Sequence, residues 1–250
     1  MNSYCIIYEP TVHIMDVISD ITKINTHILQ MEKEGIVTRT FRRLDPERQH
    51  TILIAILEEA ISKGPQSINI KEVANRAGVS VGSLYTYFHN RDGLLDFTVE
   101  LCARWMNDTM TEYRPYLTAM PLREGLTAYI AGGVEWGQLQ SGLTQFFLTA
   151  AFHGDPELGD KFVRPIAETL LGIVREMLRE AINRGEVREE IDLEATTRLI
   201  HALTISLGDT QMLPYLNNYF QASDESMAID RMIGVMVDMV MEGIAPRKAN

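Results

Sequence analysis

Between Asn69 and Arg91 the sequence places short polar side chains and two phenols at close spacing: Ser80, Gly82, Ser83, Tyr85, Thr86 and Tyr87, flanked by Asn69, Lys71 and Arg91. These types suit recognition of a polyanion with readable edges. Gly82 removes a side chain, so backbone can come close to a groove. Ser83 can donate to or accept from a base edge or a phosphate. The Tyr85 and Tyr87 hydroxyls suit phosphate oxygens, a tyrosine ring edge suits a thymine methyl, and Thr86 projects beside them. Asn69 and Ser80 stand where helices begin, and free amides with the positive end of the helix dipole favour a phosphate there. Lys71 and Arg91 add charge near the same surface. Each residue alone has a plainer reading: Asn69 and Ser80 as ordinary caps, Tyr85 and Tyr87 as packing residues, Leu84 and Phe88 as core. Upstream, Arg39, Arg42 and Arg43 could form an arm entering a narrow minor groove, or a solvated linker.

Local signals supply the elements that would hold these groups. Asn69 can cap a short helix over Ile70–Ala77, and Gly78 supplies a left-handed turn that a side chain would resist. Ser80 then caps a second short helix, Val81–Tyr87. Two helices of about two turns joined by a tight glycine turn form the helix-turn-helix plan. Val73, Ala74, Val79 and Leu84 fall where these helices must touch. Before them, Asp45 and Pro46 start a helix over 45–63 with Ile52, Leu53, Ile56 and Ala60 inward, ended by Gly64-Pro65. Earlier still, Ile14, Val17, Ile21, Ile24, Ile28 and Met31 make one apolar stripe over 11–34, with Gly35 as a stop. That stripe reads as a helix packed on its own subunit, or as a short coiled-coil seam. Beyond Asn90 come helical patterns over 91–113, 122–138, 142–153, 158–184, 193–213 and 225–243, with no sustained alternating pattern. The chain is expected to be all-α.

Bulk composition bounds the rest. The chain has 250 residues, net charge −11, 46% apolar and 23% charged residues, which is the profile of a folded chain rather than a disordered one. Two cysteines, Cys5 and Cys102, make neither a disulfide framework nor a Cys-rich metal site, and point to a cytoplasmic setting. No apolar run is long enough for a membrane span, and the start lacks the pattern of a signal peptide. The charge is uneven: residues 41–91 carry seven basic and five acidic groups, whereas 92–250 carry thirteen basic and twenty-four acidic ones. The acidic total argues against a general nucleic-acid coat but can hide a local contact surface.

The stretch Ala77-Gly-Val-Ser-Val-Gly-Ser-Leu-Tyr-Thr-Tyr-Phe88, within a wider match over about 45–95, resembles the tetracycline-repressor (TetR) family of bacterial transcriptional regulators. A looser similarity covers 150–213, through Asp155-Pro-Glu-Leu, Arg184-Gly-Glu-Val-Arg and Asp192-Leu-Glu-Ala-Thr-Thr-Arg-Leu. The resemblance implies an all-α fold with an N-terminal helix-turn-helix DNA-binding domain and a helical-bundle ligand-binding and dimerisation domain. Its divisions would be a leading segment over 1–40, the DNA-binding domain over 41–91 and an effector and dimer domain over 92–250. It further implies double-stranded operator DNA as partner, with repression as the usual sign, and no cofactor. Asn69, Lys71, Ser80, Gly82, Ser83, Tyr85, Thr86, Tyr87 and Arg91 match the places family members use on DNA, and Arg42 and Arg43 join them through the arm reading. One helix-turn-helix reads few base pairs, so a homodimer with its two reading helices about 34–36 Å apart is expected. Its helices would be 193–213, through Leu199, Leu203 and Leu207, and 225–243, through Ile229, Met232, Ile233, Met236, Val237 and Val240. The body between is rich in aromatics, and Trp105, Tyr129, Trp136, Phe147 and Phe152 are candidate walls for a small effector, with His153 and His201 as polar anchors. Leu94, Leu95 and Leu101 would join the sensing and DNA domains, with Gly93 as a soft point. Two departures stand out: Ala60, Ile61 and Pro65 occupy places where the family usually has aromatics, and the family generally starts just before Asp45-Pro46.

Two other classes compete with this reading. Neither His-Glu-x-x-His nor Gly-x-Gly-x-x-Gly occurs, and Gly154–Lys161 lacks the Ser/Thr of a phosphate loop, which argues against an enzyme. A helical scaffold that retains the DNA module without using it is the alternative, kept open by the leading helix.

Overall fold

The structure, a computed structural model, describes residues 21–63, 67–152, 156–224 and 226–246. Ile14, Val17, Gly64, Pro65 and His153 lie outside the described residues. The described residues form helices and short links, with one isolated bridge between Asp224 and Met227 and no named strand. Helices run α1 Ile21–Lys33, α2 Arg39–Arg42, α3 Pro46–Lys63, α4 Ile70–Ala77, α5 Val81–Phe88, α6 Arg91–Ala119, α7 Leu122–Leu139, α8 Ser141–Phe152 and α9 Pro156–Leu158. A π-helical turn Gly159–Val163 leads into α10 Arg164–Asn183, followed by α11 Leu193–Met212, α12 Pro214–Phe220 and α13 Ile229–Ile244. Chain contacts divide the protein into two compact units, one comprising residues up to Trp105 plus Gln140–Val163, the other Met106–Leu139 plus Arg164 onward.

The first unit is built around the short helices α4 and α5. Ile24, Ile28 and Met31 of α1 are buried, so the described part of the leading stripe packs on its own subunit. Ile52, Leu53, Ile56 and Ala60 of α3 are buried, as are Val73, Ala74 and Ala77 of α4, and Leu84 and Phe88 of α5. Phe41, Phe88 and Phe97 form a fully buried aromatic knot, with ring centroids 4.8 Å apart for Phe41–Phe88 and for Phe88–Phe97. On α8, Gly142 faces Ile61, and a Cβ there would lie 2.9 Å from Ile61 Cδ1. Ile61 therefore fills a place against the glycine face of α8. Phe146 and Phe147 both pack on Phe162 of the π-turn.

In the second unit, Leu126, Tyr129 and Ile130 of α7 meet Ile173, Val174 and Met177 of α10, Ile200 and Leu207 of α11, and Ile233 and Val237 of α13. The joint at Arg184-Gly-Glu186 is chemically explicit. The Arg184 guanidinium donates to the carbonyls of Thr118 (3.1 Å) and Met120 (2.8 Å), satisfying acceptors at and just past the C-terminus of α6. Glu186 accepts the Leu122 N–H (2.6 Å) at the start of α7 and pairs with Arg184 (2.5 Å). Burial pushes the Glu186 carboxyl up, but the Arg184 guanidinium and the Leu122 N–H more than offset this, and its pKa lies below the usual value. This clamp lets α6 continue through Pro115 to Ala119, past the sequence expectation of an end near residue 113. A proline interior to a helix costs about 3 kcal/mol; at Pro115 the neighbouring Arg114 is ion-paired with Glu176 of α10.

Two further elements were absent from the sequence reading. Residues 39–42 are helical, capped by the Thr38 side chain, so the segment expected to be an arm or a solvated linker is a folded turn at Arg39 and Arg42. Its α2 helix is too short for periodicity to reveal. Residues 214–220 form α12, started by Pro214 and organised by Asn217, whose amide donates to the Ser223 carbonyl (2.8 Å) and accepts the Ala222 and Ser223 N–H groups (both 3.1 Å).

Candidate nucleic-acid interface

The interface candidate starts with two caps. Asn69 Oδ1 accepts the Lys71 N–H (3.0 Å), and the Asn69 N–H donates to Glu59 Oε1 (3.3 Å). Glu59 is fully buried and pairs through Oε2 with Arg76 (3.1 Å), so α3 holds both the start and the last turn of α4. Gly78 takes φ +60°, the left-handed turn expected of it, and its carbonyl accepts from the Arg48 guanidinium (2.7 Å). Arg48 thus braces the turn from α3. Nothing in the spacing of Arg48 in the sequence points to a contact thirty residues ahead. Ser80 Oγ accepts the Ser83 N–H (3.0 Å) and shares a hydrogen bond with Ser83 Oγ (2.9 Å).

Burial then divides α5 into two faces. Leu84 and Phe88 are fully buried, while Gly82, Tyr85 and Thr86 are exposed, Tyr85 at 42%. Ser83 and Tyr87 are half-buried, and Tyr87 packs edge-on to Phe88 (6.3 Å) and tilted to Phe41 (5.8 Å). The Thr86 hydroxyl donates back to the Gly82 carbonyl (3.0 Å). A Cβ on Gly82 would meet only Ser80 Oγ, at 3.6 Å, an ordinary contact. The fold therefore does not itself demand glycine at this exposed position. Asn69, Lys71, Ser80 and Arg91 are also exposed, and Arg91 lies 3.9 Å from Asp92. Of the arginines upstream, Arg42 closes α2 and is ion-paired with Glu32, whereas Arg43 is exposed at the helix end.

The exit from α5 is strained. His89 takes φ 66° and ψ −55°, and the Asn90 N–H reaches back to the Phe88 carbonyl (2.8 Å), closing a three-residue turn. That geometry is rare for a residue with a side chain. Asn90 Oδ1 then caps α6 by accepting the Gly93 N–H (2.8 Å). A Cβ on Gly93 would sit 2.1 Å from the Phe88 carbonyl oxygen. Close backbone approach to Phe88 therefore requires glycine at position 93.

The expectation that the sequence holds no Gly-x-Ser-x-Gly is corrected, since Gly78-Val79-Ser80-Val81-Gly82 spells this nucleophile-elbow pattern. The elbow needs a strand before its serine. Here α4 precedes it, and the Ser80 hydroxyl is a helix cap.

The aromatic residues expected to wall an effector site fall in both units. Trp105, Phe147 and Phe152 belong to the first: Trp105 is half-buried, Phe147 packs on Phe162 at 5.5 Å, and Phe152 is 51% exposed. Tyr129 and Trp136 belong to the second, where Tyr129 is core and burial pushes its phenol well above the usual range. His201 on α11 is half-buried, its Nδ1 lacks a hydrogen-bond partner, and burial lowers its pKa. On the expected dimer helices, Leu199 and Leu203 are exposed, but Leu207, Ile233 and Val237 are core. The outward apolar residues of α13 are instead Val235 (50%) and Met239 (70%), a face displaced from the one periodicity picks out. A stripe wide enough to serve two partners looks single in sequence.

Residues 52–96 match the family model of bacterial regulatory proteins, tetR family. Among curated proteins, the chain is 26% identical over 105 residues to the HTH-type transcriptional regulator BetI of Yersinia pestis (strain Pestoides F), covering 42% of this chain and 53% of that one. It is 25% identical over 147 residues to BetI of Cronobacter sakazakii, covering 58% and 72%. The chain thus spans about half the length of the first of these relatives. The fold is similar to that of a TetR family transcriptional regulator from Chloroflexus aurantiacus, with TM-score 0.55, 17% identity, and coverage of 84% of this chain and 99% of that one. It is also similar to the transcriptional regulator FadR from Bacillus subtilis in complex with stearoyl-CoA, with TM-score 0.52, 19% identity and coverage of 78% and 98%.

Proposed function

We propose, from the match of residues 52–96 to the family model of bacterial regulatory proteins, tetR family, that the chain is a cytoplasmic transcriptional regulator, acting as a repressor, that grips a palindromic operator as a homodimer and leaves it on binding a small, largely apolar effector. The observation that carries the DNA half is the two-faced α5. Leu84 and Phe88 are buried, while Gly82, Tyr85 and Thr86 stand outward beside the Ser80 cap. In this reading Gly82, Ser83, Tyr85 and Thr86 meet the groove. Asn69, Lys71, Ser80, Tyr87 and Arg91 grip phosphates, and Arg43 with Arg42 adds charge at the edge. The dimer is proposed through Leu199 and Leu203 of α11 and Val235 and Met239 of α13, which a lone chain leaves in water.

An apolar effector is supported by the related fold that holds stearoyl-CoA and by the aromatic content around Trp105, Tyr129, Trp136, Phe147 and Phe152, each proposed as a wall within its own unit. The acidic balance of 92–250 favours a neutral or cationic head over an anionic one. Fluorescence anisotropy of labelled DNA from upstream of the coding sequence, against random duplex competitor across a salt series, tests the DNA half. Selective binding that falls steeply with salt is expected. Equal affinity for random duplex overturns the reading. Repeating the titration with stearoyl-CoA and with an uncharged long-chain ester tests the effector half. Operator affinity unchanged by either overturns an apolar inducer.

A further inference from the structure

A helix leaves its last four carbonyls without partners inside it. For α5, the helix proposed to read DNA, two of those carbonyls are taken by a residue far upstream. The Thr38 N–H donates to the Tyr87 carbonyl (2.9 Å), and the Thr38 hydroxyl donates to the Thr86 carbonyl (2.9 Å). The same hydroxyl oxygen accepts the Phe41 N–H (3.4 Å), making Thr38 the cap of α2 as well. One side chain therefore joins the start of α2 to the end of α5.

The segment carrying Thr38 is anchored on both sides. Before it, Glu34 pairs with Arg104 of α6 (2.5 Å), and Arg104 is also held by Glu100 (2.6 Å). After it, Phe41 is fully buried against Phe88 at the end of α5 and Phe97 of α6, and the Phe41 carbonyl accepts from Gln49 of α3 (3.2 Å). Val37 is buried between these anchors. The exit from α5 is the strained turn at His89, which by itself holds the helix end poorly.

We propose that Glu34–Phe41 is a strap that sets the pitch of the reading helix, with Thr38 as a positioning residue for DNA recognition that itself touches no DNA. A strap of this kind changes how well the outward edge fits its groove without changing the number of phosphates gripped. Its loss should therefore appear in sequence preference and leave the salt dependence alone. Loss of an arginine arm would do the reverse. The proposal deepens the DNA-reading function above and rests on it for its binding readout.

The test uses the full chain with Thr38→Val, which keeps shape and loses the hydroxyl, and Thr38→Ser, which restores it. Binding is read with the upstream operator duplex and a random duplex over a salt series. Thr38→Val should lower the operator-to-random ratio roughly five- to tenfold, the scale of one hydrogen bond, with an unchanged salt slope. Thr38→Ser should recover the ratio. Glu34→Gln, an exposed change outside the core, should move it in the same direction by less. A wild-type ratio in Thr38→Val, or a ratio that falls equally in Thr38→Ser, overturns the strap.

Amide hydrogen exchange at Tyr85–Phe88 of the free protein reads the same variants without DNA. Faster exchange in Thr38→Val than in wild type and Thr38→Ser supports the strap, and identical exchange in wild type, Thr38→Val and Thr38→Ser overturns it. If the wild-type chain shows no preference for operator, the DNA-reading function fails, and the exchange measurement still decides the strap.

Discussion

Gly82 separates what the fold needs from what the ligand needs. Its missing side chain leaves only an ordinary contact to Ser80 Oγ, and alanine favours a helix by about 1 kcal/mol over glycine. Gly82→Ala should therefore stabilise the protein by about 0.5–1 kcal/mol in denaturant unfolding. It should also weaken operator binding at least several-fold, because the new methyl stands on the outward edge. A variant both more stable and equally tight on DNA would remove Gly82 from the interface. Asp209 offers a second test at this scale. Burial pushes its carboxyl from 3.8 up to about 6. A raised folded pKa means the protonated form fits the fold, so this group stabilises fully below pH 3.8 and loses that contribution as pH rises through about 6. Asp209→Asn should thus gain on the order of 1–2 kcal/mol over wild type at pH 7.5, after allowing for its partial solvent exposure, and nearly nothing at pH 4. Thermal melts of both proteins at the two pH values check it. An equal difference at both would assign the effect to packing instead.

Among the helices, legibility followed the length of the pattern. The glycine turn at Gly78 and the caps at Asn69 and Ser80 were legible because each depends on a residue type acting on its immediate neighbours. The long amphipathic helices were legible because 3.6-residue periodicity repeats in them. Helix α2 was not, since four residues carry no period and its stability comes from Phe41 reaching Phe88 and Phe97. The end of α6 was misread at Pro115 because its support is Arg184, seventy residues on. That clamp gives an element-scale prediction. Arg184→Ala removes two hydrogen bonds from a charged donor and should cost about 2–3 kcal/mol at neutral pH. The Glu186 carboxyl sits below its ordinary 4.5, so its share is complete above that value and is lost as pH falls beneath it. The gap between wild type and Arg184→Ala should accordingly narrow by the Glu186 share in urea unfolding on acidification below about 4.5, while the share from the two backbone carbonyls persists. A constant gap down to pH 3 would exclude the ion pair as the source.

For the whole molecule, the outward apolar faces of α11 and α13 carry the next inference. Leu203 is 42% and Met239 70% exposed, on helices whose opposite sides build the core of their unit. The stripe of α13 expected from periodicity has Ile233 and Val237 in the core of the subunit, the intrachain alternative for those residues, and leaves Val235 and Met239 outward. A single reading helix buys too little discrimination for an operator, so DNA affinity and self-association should be linked. Leu203→Glu with Met239→Glu places four like charges, two from each copy, in the proposed interface. Sedimentation should then find a monomer that stays folded by circular dichroism, because neither residue belongs to the core. Operator affinity should fall by two orders of magnitude or more, since the two half-sites bind as one only while the copies are joined. Adding operator DNA should pull the weakened protein back toward a 2:1 complex, because linkage is reciprocal: what dimerisation contributes to DNA binding, DNA binding contributes to dimerisation. A charge-reversed protein that remains dimeric would move the interface elsewhere, with exposed Tyr215, Tyr219 and Phe220 of α12 as the next surface to alter. A monomer that binds operator as tightly as wild type would separate DNA reading from pairing altogether.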